Sequence, residues 1–176
     1  MSKAAGEKTL VLMRHSKAAQ GLGGPDHDRR LTERGHRDAE SAGAWLREQG
    51  LVPDLVICST AVRTRQTWDA ACHGGAQAEF VEFRKKVYHG DAGEVLETIR
   101  EDGADMSTIL VVGHNPAMAE LTSLLADGEG SSEAHEALSA GFATTGLAVL
   151  KCTADWAALE PGGCELLRFH VSRDPQ

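Results

Sequence analysis

The run Thr9-Leu10-Val11-Leu12-Met13 limits the possible folds of this chain more than any other stretch. It is short, almost wholly apolar and rich in strand formers. That composition suits a strand buried on both faces of a parallel sheet. The run stops abruptly at Arg14 and His15, a fixed cation beside a titratable nitrogen nucleophile. In open α/β sheets, ligands bind outside the carboxyl ends of the strands. This strand end is therefore expected to hold an anion, such as a phosphate, with a histidine placed to attack it.

Similar runs recur along the chain. Residues 55–58 (L-V-I-C) and 108–112 (T-I-L-V-V) read as further buried strands, and residues 146–151 and 165–171 as two late ones. Residues 78–83 alternate and suit a strand near the sheet edge. Helical spacing follows Thr32, a plausible N-cap, through Ala39, Ala42, Trp45 and Leu46 to Gly50. A second helix is expected from a Ser59 or Thr60 cap to about Cys72, and a third over residues 92–101. A fourth starts at Pro116, which fits a first helical turn, and runs to Asp127-Gly128. Residues 18–30, 87–91 and 128–136 read as loops, the last polar and mobile. The order β-α-β-α-β-α-β-α-β-β predicts an α/β fold. It would be a three-layer α/β/α sandwich with a mostly parallel central sheet. The last two strands lack an intervening helix, which lets one of them run antiparallel. All 176 residues fit one domain, with tails at about 1–8 and 172–176.

Hydrophobic content of 41% and charged content of 25% are those of an ordinary globular protein. A net charge of −8 argues against a nucleic-acid or membrane-surface binder. The first eight residues are polar, and no segment approaches the ~18–20 apolar residues of a membrane span. A cytoplasmic protein is expected. Cys58, Cys72, Cys152 and Cys164 form no C-x-x-C pair and read as four reduced thiols. No metal or cofactor is expected. The histidines show no H-E-x-x-H spacing, and His27, His36, His73, His135 and His170 read as surface or loop residues. A Walker-type G-x-x-x-x-G-K-[ST] is absent. Cys58 and Arg63 are separated by four residues, one short of the cysteine-phosphatase loop.

Three expected strands are followed at once by residues suited to phosphate chemistry. The first delivers Arg14 and His15. The second delivers Ser59 and, one turn into its helix, Arg63. The strand at 108–112 delivers His114. In a parallel sheet these ends share an edge, so the side chains are expected to converge. Phosphoryl transfer depends mostly on positioning and charge stabilisation. Two arginines can grip non-bridging oxygens through forked donors. An attacking histidine must be neutral, and adjacent arginines favour that form. His114 can donate to the oxygens as charge builds. The expected intermediate is a phosphohistidine on His15.

These motifs carry a resemblance. The strand followed by R-H, then L-T-E-R-G, S-T-A-V-R-T-R-Q-T and V-V-G-H-N-P, resembles the histidine phosphatase superfamily and its phosphoglycerate-mutase-like fold. The small size, Y-H-G-D-A-G-E-V-L and F-A-T-T-G-L-A-V-L resemble its SixA-type phosphohistidine phosphatase branch. The likeness runs from Thr9 to about Leu150. It implies His15 as phosphate acceptor, with Arg14, Arg63 and His114 completing the pocket.

Two positions depart from the pattern. The family's R-H-G is R-H-S here, so Ser16 needs a compatible φ and brings a hydroxyl. Where many members place a proton-donating glutamate, this chain has Arg84-Lys85-Lys86-Val87. Asp91 and Glu94 lie downstream and read better as caps than as acids. An alkoxide usually needs a positioned acid to leave, whereas an imidazole leaving a phosphoramidate needs less help. The expected substrate is therefore a phosphohistidine protein. The alternatives are a small phosphomonoester or a non-catalytic phosphate-binding module. With no apolar stripe left over, a monomer is expected.

Overall fold

A computed structural model of the chain describes residues 6–175. The elements run β1 (Lys8–Arg14), α1 (Glu33–Glu48), β2 (Leu55–Ser59), α2 (Val62–Gly74), β3 (Phe80–Arg84), α3 (Lys85–His89), α4 (Ala92–Asp102) and β4 (Thr108–Gly113). They continue with α5 (Ala117–Leu125), β5 (Ala126–Gly130), α6 (Ser132–Ser139), β6 (Gly146–Cys152) and β7 (Cys164–Val171). Short 3-10 turns lie at Asp26–Asp28 and Trp156–Ala158.

All seven strands form one sheet in the order β3-β2-β4-β1-β6-β7-β5. β3, β2, β4 and β1 are mutually parallel. β6 runs antiparallel to both β1 and β7, and β5 pairs parallel with β7. Of the two late strands, β6 is thus the reversed one. β3 stands at the edge.

The apolar run of β1 is buried on both faces, with side chains alternating between two cores. Leu10 and Leu12 join Leu55, Ile57, Ile109 and Val111 beneath α4 and α5, which contribute Val95, Ile99, Met118 and Leu121. Val11 and Met13 join Val56, Cys58, Leu110 and Val112 beneath Ala42 and Leu46 of α1 and Trp68 of α2. Helices on both faces make the expected three layers. α1 and α2 pack closely enough that a Cβ at Gly43 would strike the carbonyl of Ala71. Among the described residues, no helix is long and apolar enough to cross a membrane.

Several expectations need correction. Residues 87–91 are not all loop, because α3 covers Lys85–His89 and buries Val87. The polar stretch 128–136 contains the end of β5 and most of α6. Ser131 caps α6 through Ala134 N–H, and the helix buries Ala134 alone, so no apolar period marked it. α2 is preceded by Ala61, whose side chain cannot cap, rather than by a capping Ser59 or Thr60. Cys152 and Cys164 are not reduced thiols but a disulfide, joining directly opposed residues of β6 and β7. The expected C-terminal tail is fastened. Ser172 N–H donates to Thr145 O (3.0 Å), and Asp174 N–H donates to buried Asp38 Oδ1 (2.8 Å). Lys8, set in the other tail, opens β1, and residues 1–5 lie outside the described ones.

Candidate active site

The carboxyl ends of β1, β2 and β4 lie side by side, as their pairing requires. His15 N–H donates to Gly113 O (3.0 Å), which ties the end of β1 to that of β4. The rings of His15 and His114 are 5.2 Å apart between centroids. Both histidines and Arg63 are buried. The four expected residues Arg14, His15, Arg63 and His114 therefore meet at one edge of the sheet.

Each side chain is held by a specific partner. His15 Nδ1 lies 2.7 Å from Ser16 O. A carbonyl can only accept, so Nδ1 carries the proton and Nε2 of the neutral ring keeps its lone pair. Ser59 Oγ accepts from Ala61 N–H (3.2 Å) and sits 2.7 Å from His114 Nε2. Either atom can be the donor in this contact; in the tautomer where the Ser59 hydroxyl donates to Nε2, the neutral ring of His114 carries its proton on Nδ1. Arg14 Nη1 donates to Phe142 O (3.0 Å). Arg63 Nη1 donates to Asp26 O (2.9 Å) and Nη2 to Asp26 Oδ2 (3.1 Å).

Among the described residues, four buried side-chain polar atoms lack a hydrogen-bond partner: Arg14 Nε, Arg63 Nε, His114 Nδ1 and Ser172 Oγ. Three of the four belong to the converging quartet. Unmatched buried donors are rare. Two guanidinium N–H groups and one imidazole nitrogen directed to no protein acceptor suit an anion.

Burial, more than charge, keeps both rings neutral. It pulls His15 down to about 4, assisted by Arg63, Arg14 and Arg29 and opposed by the Ser16 carbonyl. It pulls His114 down to about 3, assisted by His15 and Arg63. The arginines act in the expected direction but come second to burial. A histidine kept neutral in the fold binds fewer protons than the unfolded chain between its folded value and the ordinary 6.5, so stability rises with pH across that window. Stability is thus expected to drain away as pH falls from 6.5 through about 4 for His15 and about 3 for His114, and His114→Gln should flatten part of that slope. Urea midpoints measured across this range test it. A variant slope as steep as wild type would count against the assignment.

The rim holds residues that sequence reasoning missed. Asp26, in the 3-10 turn, also accepts from Tyr88 OH (2.8 Å) and Arg29 Nη1 (3.0 Å). Those two hydrogen bonds, with Arg63, hold its carboxyl well below the ordinary range. Tyr88 lies edge-on to His114, with ring centroids 5.6 Å apart. His27, expected as a surface or loop residue, contacts Tyr88 edge-on and pairs with Thr60 Oγ1 through Nε2 (3.0 Å). The only available signal was D-H-D within a glycine-rich loop.

Asp91 and Glu94 form a reciprocal capping box at the start of α4, which accounts for both carboxylates. Ser16 is fully buried, and Ala104 and Thr145 are the non-glycine residues at positive φ among those described. Serine therefore replaces glycine there without backbone strain. Cys58 is also fully buried, and burial pushes its thiol up to about 12, the reverse of what a thiolate nucleophile needs. Among the described residues, no group of three or more His, Cys, Asp or Glu could hold a metal ion.

Comparison with known proteins agrees with this architecture. The model of the histidine phosphatase superfamily (branch 1) matches residues 10–82. An uncharacterised protein of Mycobacterium tuberculosis is 43% identical over 162 residues, spanning 92% of this chain and 100% of its own. A candidate phosphohistidine phosphatase SixA of Nakamurella multipartitia superposes with a TM-score of 0.82 at 41% identity, over 97% of this chain and 99% of that one. Another from Agrobacterium tumefaciens gives 0.75 at 31% identity, over 93% and 97%. With the phosphoglycerate-mutase-like sheet and these likenesses along nearly its whole length, the chain belongs to the histidine phosphatase superfamily, in its SixA-type branch, and is a phosphatase.

Proposed function

We propose that this phosphatase hydrolyses protein phosphohistidine, with His15 as the phosphate-accepting nucleophile. One observation carries the role of His15: its Nδ1–H donates to the Ser16 carbonyl, so the neutral ring presents an unprotonated Nε2 with no protein partner among the described residues. Nε2 attacks phosphorus, and the P–N bond of the substrate breaks. The leaving imidazole keeps that electron pair and takes a proton from solvent. Arg14 and Arg63 hold the phosphoryl oxygens, and His114 Nδ1–H donates to them as charge builds. Water then attacks the phosphohistidine, the P–Nε2 bond breaks, and inorganic phosphate leaves. Asp26 speaks for the leaving group. It is the carboxylate that engages Arg63, and it is held ionised, so it has no proton to give an alkoxide at neutral pH.

A substrate panel tests the reading. Phosphate release should be fastest from a phosphohistidine peptide, slower from an aryl phosphate, and at least about tenfold slower from an alkyl phosphate such as phosphoserine. An alkyl phosphate turned over as fast as phosphohistidine would overturn the substrate assignment and require an acid elsewhere.

A further inference from the structure

Thr145, the residue before β6, carries a conformation that needs an explanation. Its φ is +58°, in the left-handed region. For a β-branched side chain this is a genuine outlier, and such strain persists only where the surroundings over-determine it. The surroundings here are the nucleophile segment itself. Thr145 N–H is shared between the carbonyls of Arg14 (3.2 Å) and His15 (3.1 Å). Thr145 Oγ1 lies 2.7 Å from Ser16 Oγ. One fully buried residue thus touches three consecutive residues of β1 and its exit.

Ser16 is the other half of the device. Its carbonyl accepts His15 Nδ1–H, and its N–H donates to Thr67 Oγ1 (3.0 Å), which in turn donates to Arg63 O (2.7 Å). Where Ser16 sits therefore decides how the ring of His15 is held. The hydroxyl pair ties that position to Thr145, a residue 129 positions away. From the other side, Thr145 O accepts Ser172 N–H, and Arg173 Nη1 donates to Thr144 O (2.8 Å). The C-terminal segment thus braces the clamp.

We propose that Thr145, acting through the Ser16 hydroxyl, is a positioning residue that holds His15 in the orientation for attack. The inference rests on the reading of His15 as nucleophile. The assay is hydrolysis of an aryl phosphate, whose leaving group needs no proton, so it does not depend on the natural substrate.

Thr145→Val keeps the shape and removes the hydroxyl. It is expected to lower kcat about tenfold while KM stays within about twofold, because phosphate contacts survive and only the attack geometry loosens. Thr145→Ser should return kcat to near wild type. Ser16→Ala should reproduce the loss, and the double variant Thr145→Val with Ser16→Ala should be no slower than either single, since both break one interaction. Wild-type kcat in Thr145→Val would overturn the inference. So would failure of Thr145→Ser to rescue, or losses that multiply in the double variant. His15→Ala is measured alongside. If it stays active, the nucleophile assignment has failed. If it is inactive while Thr145→Val is unimpaired, only the positioning role has.

Discussion

Replacing His15 by alanine is expected to lower kcat/KM on the order of 10⁴-fold or more, leaving a residue of catalysis from Arg14, Arg63 and His114. The size follows from what disappears. Without Nε2, water must attack phosphorus directly, and the reaction is no longer divided into two easier transfers. A second readout is independent of rate. Wild-type protein quenched during turnover should carry phosphate that is lost in acid and kept in base, as a phosphoramidate is, and the variant should carry none. Activity within about tenfold of wild type, or an acid-labile phosphoprotein in the variant, would end the proposal that His15 accepts the phosphate.

Arg63→Ala should be the next most damaging change, at roughly 10²–10³-fold in kcat/KM, the scale for losing a preorganised donor in a buried site. The conservative replacement is the sharper test. Both terminal nitrogens of Arg63 are already held by Asp26, through its carbonyl and its carboxylate, while Nε remains unpartnered. Arginine can serve both partners because its donors lie in a fixed planar fork. A lysine has one nitrogen to divide between Asp26 and the phosphate. Arg63→Lys is therefore expected to recover less than about tenfold of what Arg63→Ala loses. Near-normal kcat/KM in Arg63→Lys would mean that position 63 supplies only charge.

What was legible in the sequence followed from local chemistry. The apolar runs of β1, β2 and β4 identified strands buried on both faces, and their abrupt polar ends picked out the residues that converge at one edge. Thr32 was readable as a cap because its side chain acts three residues ahead, on Gly35 N–H. Arg63 was readable because it lies one turn beyond a strand end.

The illegible parts depend on distance in the chain or on weak signal. Asp26 meets Arg63 across 37 residues, from a glycine-rich loop with no period to follow. Thr145 meets Ser16 only because β6 pairs with β1. The disulfide needed the β6–β7 register, which the spacing of Cys152 and Cys164 does not disclose. β5 and α6 escaped notice because they bury almost nothing. α1 and α2 were expected as helices, but their close approach at Gly43 and Gly74 was not, since a helical glycine reads merely as a poor helix former.

The reversal of β6 has a consequence for how this scaffold can change. In a wholly parallel sheet, only connections that leave strands reach the ligand edge, and those that enter strands lie on the opposite side. Because β6 runs backwards, the connection that enters it, carrying Phe142 and Thr145, joins the exits of β1, β2 and β4. Segments from several parts of the gene, Tyr88 beyond the exit of β3 among them, thus share one edge. Lengthening any of them would alter what the pocket admits. Insertions at the far edge, around Gly50, Asp105 or Asp155, would leave the chemistry alone. The fold separates the parts free to diversify for new substrates from those free to diversify without effect.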